Sequence, residues 1–204
     1  MRLIGRHRSP YVRRVATTMR LLGMSYEHVA LSPSKDPDKL KRWNPVLMVP
    51  ALELDDGEVL IDSAAIIDHL DEIAGERALT PQGGAERRAV NKAVALALNA
   101  LFKGIELHHE IGQKPADKRH QPWMERCTEK MLAGFGTLDA MAAQGEWLAA
   151  GRLTQADVTT VCAFDFCDID FPEMPLRSEF PNLDSLSARC NALSAFAETT
   201  PEPV

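Results

Sequence analysis

The fold of this chain is decided by residues 49–67, which read VPALELDDGEVLIDSAAII. Two short apolar runs flank the turn Asp55-Asp56-Gly57, and Asp-Gly between such runs is typical of a β-hairpin. The predicted antiparallel strands are residues 51–54 and 59–61. Asp62-Ser63 then supplies capping residues for a helix that has an apolar stripe and ends at Gly75.

The residues before this stretch predict a strand, a helix and a second strand. Residues 2–5 are short and apolar enough for a strand, and residues 26–31 alternate as a strand does. Between them, Ser9-Pro10 combines a favoured N-cap with a proline suited to the first helical position, and Gly23 ends the helix. A strand-helix-strand unit favours a parallel pair, so the predicted order is βαβ followed by ββα.

The residues after the first eighty predict helices only. The linker is clearest at residues 80–84, which read TPQGG. The predicted helices are about residues 85–110, about residues 121–143, a third starting at residue 154 and a fourth near residues 183–193. Thr154 and Asp157 have the spacing of an N-terminal capping box, and the proline-rich tail after Ala197 is expected to fray. The predicted domains are residues 1–78 and 85–204, joined by a linker at 79–84.

Composition excludes two classes of partner. The 204 residues are 45% hydrophobic and 25% charged, which is ordinary for a globular chain, and the net charge is −6. The 23 basic residues are scattered, so no nucleic-acid surface is expected. No apolar run approaches the roughly 20 residues that a membrane span needs, and no signal core follows Met1. We therefore expect a cytoplasmic protein.

No metal site is expected. The four cysteines lack CxxC spacing and are predicted to be reduced and buried. Cys162 and Cys167 lie near three aspartates, but their spacing fits no common zinc pattern. His108, His109 and Glu110 are adjacent on a helix and therefore point in different directions.

A basic run near the start of the chain has two interpretations. Arg6-His7-Arg8 is followed closely by Arg13 and Arg14. These side chains either frame an anionic small molecule or form a solvated rim.

In this order and at these distances, the motifs resemble the soluble glutathione transferase family, in particular its bacterial serine-type members. The matching residues are Ser9-Pro10-Tyr11-Val12-Arg13, Asn44-Pro45, Val49-Pro50-Ala51-Leu52, Asp62-Ser63-Ala64-Ala65-Ile66 with Leu70, Leu79-Thr80-Pro81, Glu86-Arg87-Arg88-Ala89, Trp147-Leu148-Ala149 and Leu153-Thr154-Gln155-Ala156-Asp157-Val158. The resemblance implies a thioredoxin-like domain that holds glutathione and an all-helical domain that shapes the second substrate's pocket. It also implies a homodimer and a role in detoxification.

The resemblance gives Ser9 the chemical role. Its hydroxyl would donate a hydrogen bond to the glutathione sulfur and favour the reactive thiolate, at a helix N-terminus that also lowers a thiol pKa. The alternative is ordinary N-capping. Tyr11 is a rival for this hydrogen bond and is otherwise expected in the electrophile pocket. The absence of cysteine at positions 9–12 argues against relatives that use a sulfur nucleophile.

Four further residues are implied to bind glutathione. Asp62 would attract the α-amino group of the γ-glutamyl end, and Ser63 would hold its carboxylate at a helix N-terminus. Pro50 resembles the family's cis-proline, which would leave the Val49 backbone to pair with the cysteinyl part. The alternatives are capping of the helix by Asp62-Ser63 and a proline that merely starts a strand.

Three functions remain open from the sequence. The first is transfer of glutathione to a small hydrophobic electrophile, held by Tyr11 with Phe102, Ile105 and His109, although core packing also explains the last three. The second is a non-catalytic binding module, and the third is a glutathione-dependent isomerase or dehalogenase. A serine-rich stretch typical of the maleylacetoacetate isomerases is missing after the first strand, which argues against the isomerase alternative.

One glutathione contact is expected to be lost, and another is left unassigned. Met48 stands where many family members carry a glutamine or lysine that touches glutathione. Lys35 and Lys41 are candidates for the glycyl carboxylate.

Overall fold

A four-stranded mixed sheet lies at the centre of the N-terminal part. Its strands are β1 (Arg2–Ile4), β2 (Glu27–Val29), β3 (Ala51–Glu53) and β4 (Val59–Ile61), in the order β2-β1-β3-β4. β1 runs parallel to β2 and antiparallel to β3, and β3 runs antiparallel to β4. The computed structural model, which describes residues 1–202, thus confirms the predicted βαβ-ββα order of a thioredoxin-like domain.

The described residues also contain nine α-helices. They are α1 (Pro10–Leu21), α2 (Pro37–Leu40), α3 (Ser63–Ala74), α4 (Gly84–Gln113), α5 (Gln121–Ala142), α6 (Gln155–Asp170), α7 (Leu176–Glu179), α8 (Pro181–Asn191) and α9 (Ser194–Ala197). Single 3₁₀ turns follow α3 and α4. Within residues 1–202, no helix combines the length and apolar character that crossing a membrane requires.

Both faces of the sheet are covered. Successive strand residues face opposite sides, yet Leu3 and Ile4 are both fully buried. Ile4 and Ala51 of the sheet pack in one cluster with Leu40 of α2 and with Trp43 of the loop after it. Helices α1 and α3 pack against each other and also contact β1 and β3.

The strand register places three connections at one edge of the sheet. Ile4 pairs with Ala51, and Ala51 pairs with Ile61. The loop after β1, the residues before β3 and the residues after β4 therefore leave the sheet at the same end. This edge is where the sequence places its candidate site.

Contacts divide the chain into two compact units. Among the described residues, the first unit holds residues 1–79 and 191–202, and the second holds residues 80–190. The second unit is all helical, as predicted, and α6 is almost entirely buried in it. The division into residues 1–78 and 85–204 remains a proposal, and the structure differs from it in grouping the C-terminal residues with the first unit.

The capping box of α6 forms as predicted. Thr154 accepts a hydrogen bond from a backbone N–H in the first turn, and Asp157 reaches back to the Thr154 N–H at 2.8 Å. Asp157 also accepts the Leu148 N–H at 2.9 Å. One buried carboxylate therefore ties the loop before α6 to its first turn.

The prediction of a frayed tail is wrong as far as residue 202. Thr199 is fully buried, and its hydroxyl lies 2.8 Å from the hydroxyl of Thr17 on α1. Glu202 accepts hydrogen bonds from two backbone amides near Ser9. The proline-rich composition of this segment suggested fraying. Composition alone does not reveal the polar partners that hold the segment in place. Residues 203 and 204 lie outside the described residues.

Candidate functional site

The β1–α1 loop, residues 5–9, packs tightly against its neighbours. Gly5 has φ +128°, which glycine tolerates far better than other residues. A Cβ atom there would lie 2.5 Å from Val12 Cγ2 and 2.9 Å from Val49 Cβ. The loop is therefore held between the first turn of α1 and the residue that precedes Pro50.

Ser9 occupies the N-cap position of α1 without capping it. Its backbone is extended, its carbonyl accepts the Arg13 N–H at 2.9 Å, and its side chain makes no cap hydrogen bond. Pro10, the next residue, has no N–H to offer. Ser9 is half-buried, and its hydroxyl is not used for ordinary capping, which was the alternative explanation for this residue.

The loop before β3 is shaped by a buried asparagine. The Asn44 amide donates to the Met48 carbonyl at 2.9 Å, and its Oδ1 accepts the Val46 N–H at 3.0 Å. The bond between Val49 and Pro50 is cis, as the sequence analysis expected. Within residues 1–202, neither the N–H nor the C=O of Val49 has a hydrogen-bond partner. Met48 is 61% exposed.

Asp62 caps α3. Its Oδ1 accepts the Ala64 N–H at 2.7 Å, and its φ of +70° is unusual for a residue other than glycine. Asp62 is exposed, so its second carboxylate oxygen is accessible. Strained backbone of this kind is often found at ligand-binding positions.

Ser63, the first residue of α3, is 4% exposed and contacts a buried arginine. Arg14 donates to Ser63 Oγ at 3.2 Å. Because a guanidinium group only donates, the Ser63 oxygen is the acceptor and the hydroxyl keeps its own hydrogen for another acceptor. The contact also places a positive charge beside the N-terminus of α3, where the helix dipole already favours an anion.

The solvated-rim interpretation is wrong for three of the five basic residues. His7, Arg13 and Arg14 are buried, and Arg13 donates to Asn191 Oδ1 at 2.7 Å. Arg14 is the site residue whose contact the sequence analysis missed. Its position within the apolar stretch around Val12 and Val15 was the available signal, because a charge there needs a polar partner.

Three of the four expected electrophile-pocket residues share one side of α4. Phe102, Ile105 and His109 are spaced three and four residues apart, which brings them together on a helix. Phe102 is 50% exposed, His109 is exposed and Ile105 is half-buried, so core packing does not explain Phe102 or His109. Tyr11 is half-buried in the first unit. A pocket shared by all four remains a proposal.

A histidine–carboxylate pair in the second unit was not predicted. His108 Nδ1 lies 2.5 Å from Asp170 Oδ2, and the Phe166 ring lies beside the imidazole, with 6.2 Å between the ring centroids and 61° between their planes. The partners are 62 residues apart in sequence, so local patterns carry no signal for this contact.

The aspartates near Cys162 and Cys167 are paired with other side chains, and the cysteines of the chain are buried. Asp165 and Asp168 both pair with Arg177, at 3.3 and 2.7 Å. All four cysteines are buried and free of disulfides, as predicted. Burial raises the pKa of Cys190 to about 12 and also raises that of Cys167, so these thiols are poor nucleophiles.

Comparison with known proteins adds to this geometry. Residues 3–78 match the model of the glutathione S-transferase N-terminal domain, and residues 121–189 match that of the C-terminal domain. A probable maleylacetoacetate isomerase from Vibrio cholerae is 31% identical, over 98% of this chain and 95% of the relative. A maleylpyruvate isomerase from a Ralstonia species is also 31% identical, over 98% of this chain and 97% of the relative.

A solved structure resembles the whole chain. It is a glutathione S-transferase from Methylobacterium radiotolerans in complex with glutathione sulfonate. The TM-score is 0.93 and the identity is 26%, over 100% of this chain and 95% of the other.

Proposed function

Because the chain belongs to the glutathione S-transferase family, we propose that it binds glutathione at the sheet edge formed by the β1–α1 loop, Val49-Pro50 and the start of α3. The observation that carries this proposal is the set of polar groups left unused at that edge. The Ser9 hydroxyl makes no capping bond, and within residues 1–202 the Val49 backbone has no partner. A bound tripeptide satisfies both.

The γ-glutamyl end of glutathione is assigned to the N-terminus of α3. The second carboxylate oxygen of Asp62 attracts the ammonium group. The Ser63 hydroxyl and the first-turn amides of α3 donate to the carboxylate, and Arg14 behind Ser63 adds positive charge. Val49, beside Pro50, pairs with the backbone of the cysteinyl residue as an added strand would.

The central chemical role is assigned to Ser9. A donated hydrogen bond stabilises the thiolate more than the thiol, so the bound glutathione ionises at lower pH. The first-turn amides of α1 act in the same direction. The thiol proton passes to solvent, and Ser9 itself remains uncharged and forms no covalent bond.

The reaction supported best is addition of this thiolate to an electrophilic carbon. In a transfer reaction the new S–C bond forms as a leaving group departs with its bonding electrons. Tyr11, Phe102, Ile105 and His109 are the residues proposed to hold the hydrophobic electrophile.

Isomerisation is a second candidate, favoured by the names of the two relatives that are 31% identical. There the thiolate adds to a cis double bond conjugated to a carbonyl group and gives an enolate. Rotation about the resulting single bond, followed by loss of the thiolate, yields the trans product and regenerates glutathione. Both reactions require the same stabilised thiolate.

The test of the shared step is the Ser9→Ala variant. Removing one hydrogen bond to a charged atom costs about 1.5–3 kcal/mol, so we expect kcat/KM with a chloronitrobenzene electrophile to fall roughly 10–100-fold. Ser34→Ala, which removes an exposed serine of a different loop, is the matched control and should be neutral. An unchanged rate in Ser9→Ala would contradict the assignment.

Product analysis separates the candidate functions. Glutathione consumed into a conjugate supports transfer. An isomerised maleyl substrate with glutathione recovered intact supports isomerisation. Retention on immobilised glutathione without turnover of either substrate class would instead indicate a binding module.

A further inference from the structure

The C-terminal segment, residues 191–202, runs along one face of α1. Three residues of α1 contact this segment through polar side chains. The pairs are Arg13 with Asn191, Thr17 with Thr199, and Arg20 with Glu198. Spacings of four and three residues put positions 13, 17 and 20 on the same side of the helix. The segment is therefore anchored before it reaches the β1–α1 loop.

Glu202 ends this path on the loop itself. Its Oε1 accepts the His7 N–H at 3.1 Å, and its Oε2 accepts the Arg8 N–H at 2.6 Å. Burial acts to raise the pKa of Glu202, but hydrogen bonds from backbone amides outweigh burial and lower that pKa. The carboxylate is therefore ionised at neutral pH, and charge-assisted bonds of this kind are stronger than neutral ones.

The rest of the loop is held by the sheet and by a local turn. The Gly5 N–H donates to Val29 O at 2.9 Å, and the Ser9 N–H donates to Arg6 O at 3.0 Å. His28 Nε2 lies 2.7 Å from the Gly5 carbonyl, which can only accept. The two amides immediately before Ser9 both donate to Glu202.

The cluster of His7, His28 and Glu202 is a junction rather than a metal centre. One ligand atom from each lies within 4.8 Å of the others. However, His28 Nε2 is engaged by Gly5, and both Glu202 oxygens are engaged by amides. The two imidazole rings are stacked 4.1 Å apart with 5° between their planes, so their in-plane lone pairs do not converge on one ion.

We propose that Glu202 is a positioning residue for Ser9: by holding the two preceding amides, the C-terminal segment fixes where the serine hydroxyl meets the glutathione sulfur. The proposal rests on the proposed function of Ser9. It assigns the tail a part in catalysis without direct contact with substrate.

The test is the pKa of the thiol of bound glutathione, read from thiolate absorbance against pH in four proteins. These are the unchanged protein, Ser9→Ala, Glu202→Ala and the double variant. We expect the thiol pKa to rise by about 1–2 units in Ser9→Ala and by about 0.5–1 unit in Glu202→Ala. In the double variant, loss of Glu202 should add nothing, because the hydroxyl it positions is already gone.

Three other results would overturn the proposal. If Glu202 has a purely structural role, the Glu202→Ala variant has a lower melting temperature and an unchanged thiol pKa. If the Glu202 charge acts directly on the sulfur, the thiol pKa falls in Glu202→Ala, since a nearby negative charge has been removed. Additive shifts in the double variant would show that Glu202 acts independently of Ser9. An unchanged thiol pKa in Ser9→Ala alone would overturn the proposed function as well.

Two further variants control for a general loosening of the C-terminal segment. Glu198→Ala removes the ion pair with Arg20 but no contact with the loop, so the thiol pKa should stay within about 0.2 units. Glu202→Gln keeps one acceptor oxygen and should give a smaller rise than Glu202→Ala. If the alanine variant is unfolded at the assay temperature, a rise in Glu202→Gln supports the proposal and an unchanged or lowered value overturns it.

Discussion

His7 is buried beside a second imidazole, and its environment disfavours the charged form. Burial, together with the neighbouring His28, lowers the pKa of His7 from its ordinary 6.5 to about 4, although Glu202 opposes the shift. The unfolded chain therefore binds a proton at this position between pH 6.5 and 4, and the folded chain does not. The free energy of unfolding falls as the pH is lowered through that window.

The expected loss is at most about 3 kcal/mol, because each unit of pKa shift corresponds to about 1.4 kcal/mol. The measurement is urea unfolding at pH 7.5 and pH 4.5 for the unchanged protein and for His7→Phe. The variant should lose less stability on acidification than the unchanged protein. Equal losses of stability in the two proteins would contradict the account, and His69→Phe, at a half-buried position of α3, serves as the control.

Gly5 offers a second prediction at the residue scale. Gly5→Ala combines a disfavoured φ with a clash against Val12 and Val49, so we expect a loss of about 2–4 kcal/mol and a higher KM for glutathione. Gly57→Ala is the matched control, because its φ is also positive but no atom lies within 4 Å of the new Cβ. Equal KM values in the two variants would contradict a role for the Gly5–Val49 contact.

Single residues also show the limit of prediction from sequence. Asp62 and the cis bond before Pro50 were predicted because local motifs carry them, and both have the expected local structure. The contact between Arg14 and Ser63 spans 49 residues, and that between Arg8 and Glu202 spans 194. No local pattern encodes such pairs, so the sequence analysis missed the contacts that support the proposed site.

At the scale of elements, the capping box of α6 should dominate the stability of the second unit. Asp157→Ala removes acceptors for the Leu148 and Thr154 amides and for the Thr154 hydroxyl, all of which are buried. We expect a loss of about 3 kcal/mol or more. Calorimetry is the measurement, with the exposed Asp117→Ala as control. A loss below about 1 kcal/mol would contradict the role assigned to this carboxylate.

Helices with sustained apolar periodicity were predicted well, and helices of a single turn were not. The bounds of α1, α3, α4 and α5 and the start of α6 fell within a few residues of the prediction. The strands, although only three residues long, were located by their short apolar runs and the turn residues beside them. Helices α2, α7 and α9 have four residues each, too few for a periodic signal. Helix α9 also belongs to the tail that was expected to fray, and it forms because Ala195 and Phe196 are buried.

At the scale of the whole molecule, family membership leads us to propose a homodimer. Light scattering after size-exclusion chromatography should give twice the 22.5 kDa of one chain. The dimer should persist on dilution, because obligate homodimer interfaces are large and apolar. A mass of one chain at micromolar concentration would contradict this proposal and leave the site within the first unit unaffected.

The central claim is that the Ser9 hydroxyl stabilises the thiolate of bound glutathione, and a crystal structure of the complex with glutathione tests it most directly. The account predicts that the sulfur lies about 3.0–3.5 Å from Ser9 Oγ, while the cysteinyl backbone pairs with Val49. A sulfur atom beyond hydrogen-bonding range of Ser9, or bonded to the Tyr11 hydroxyl instead, would contradict it.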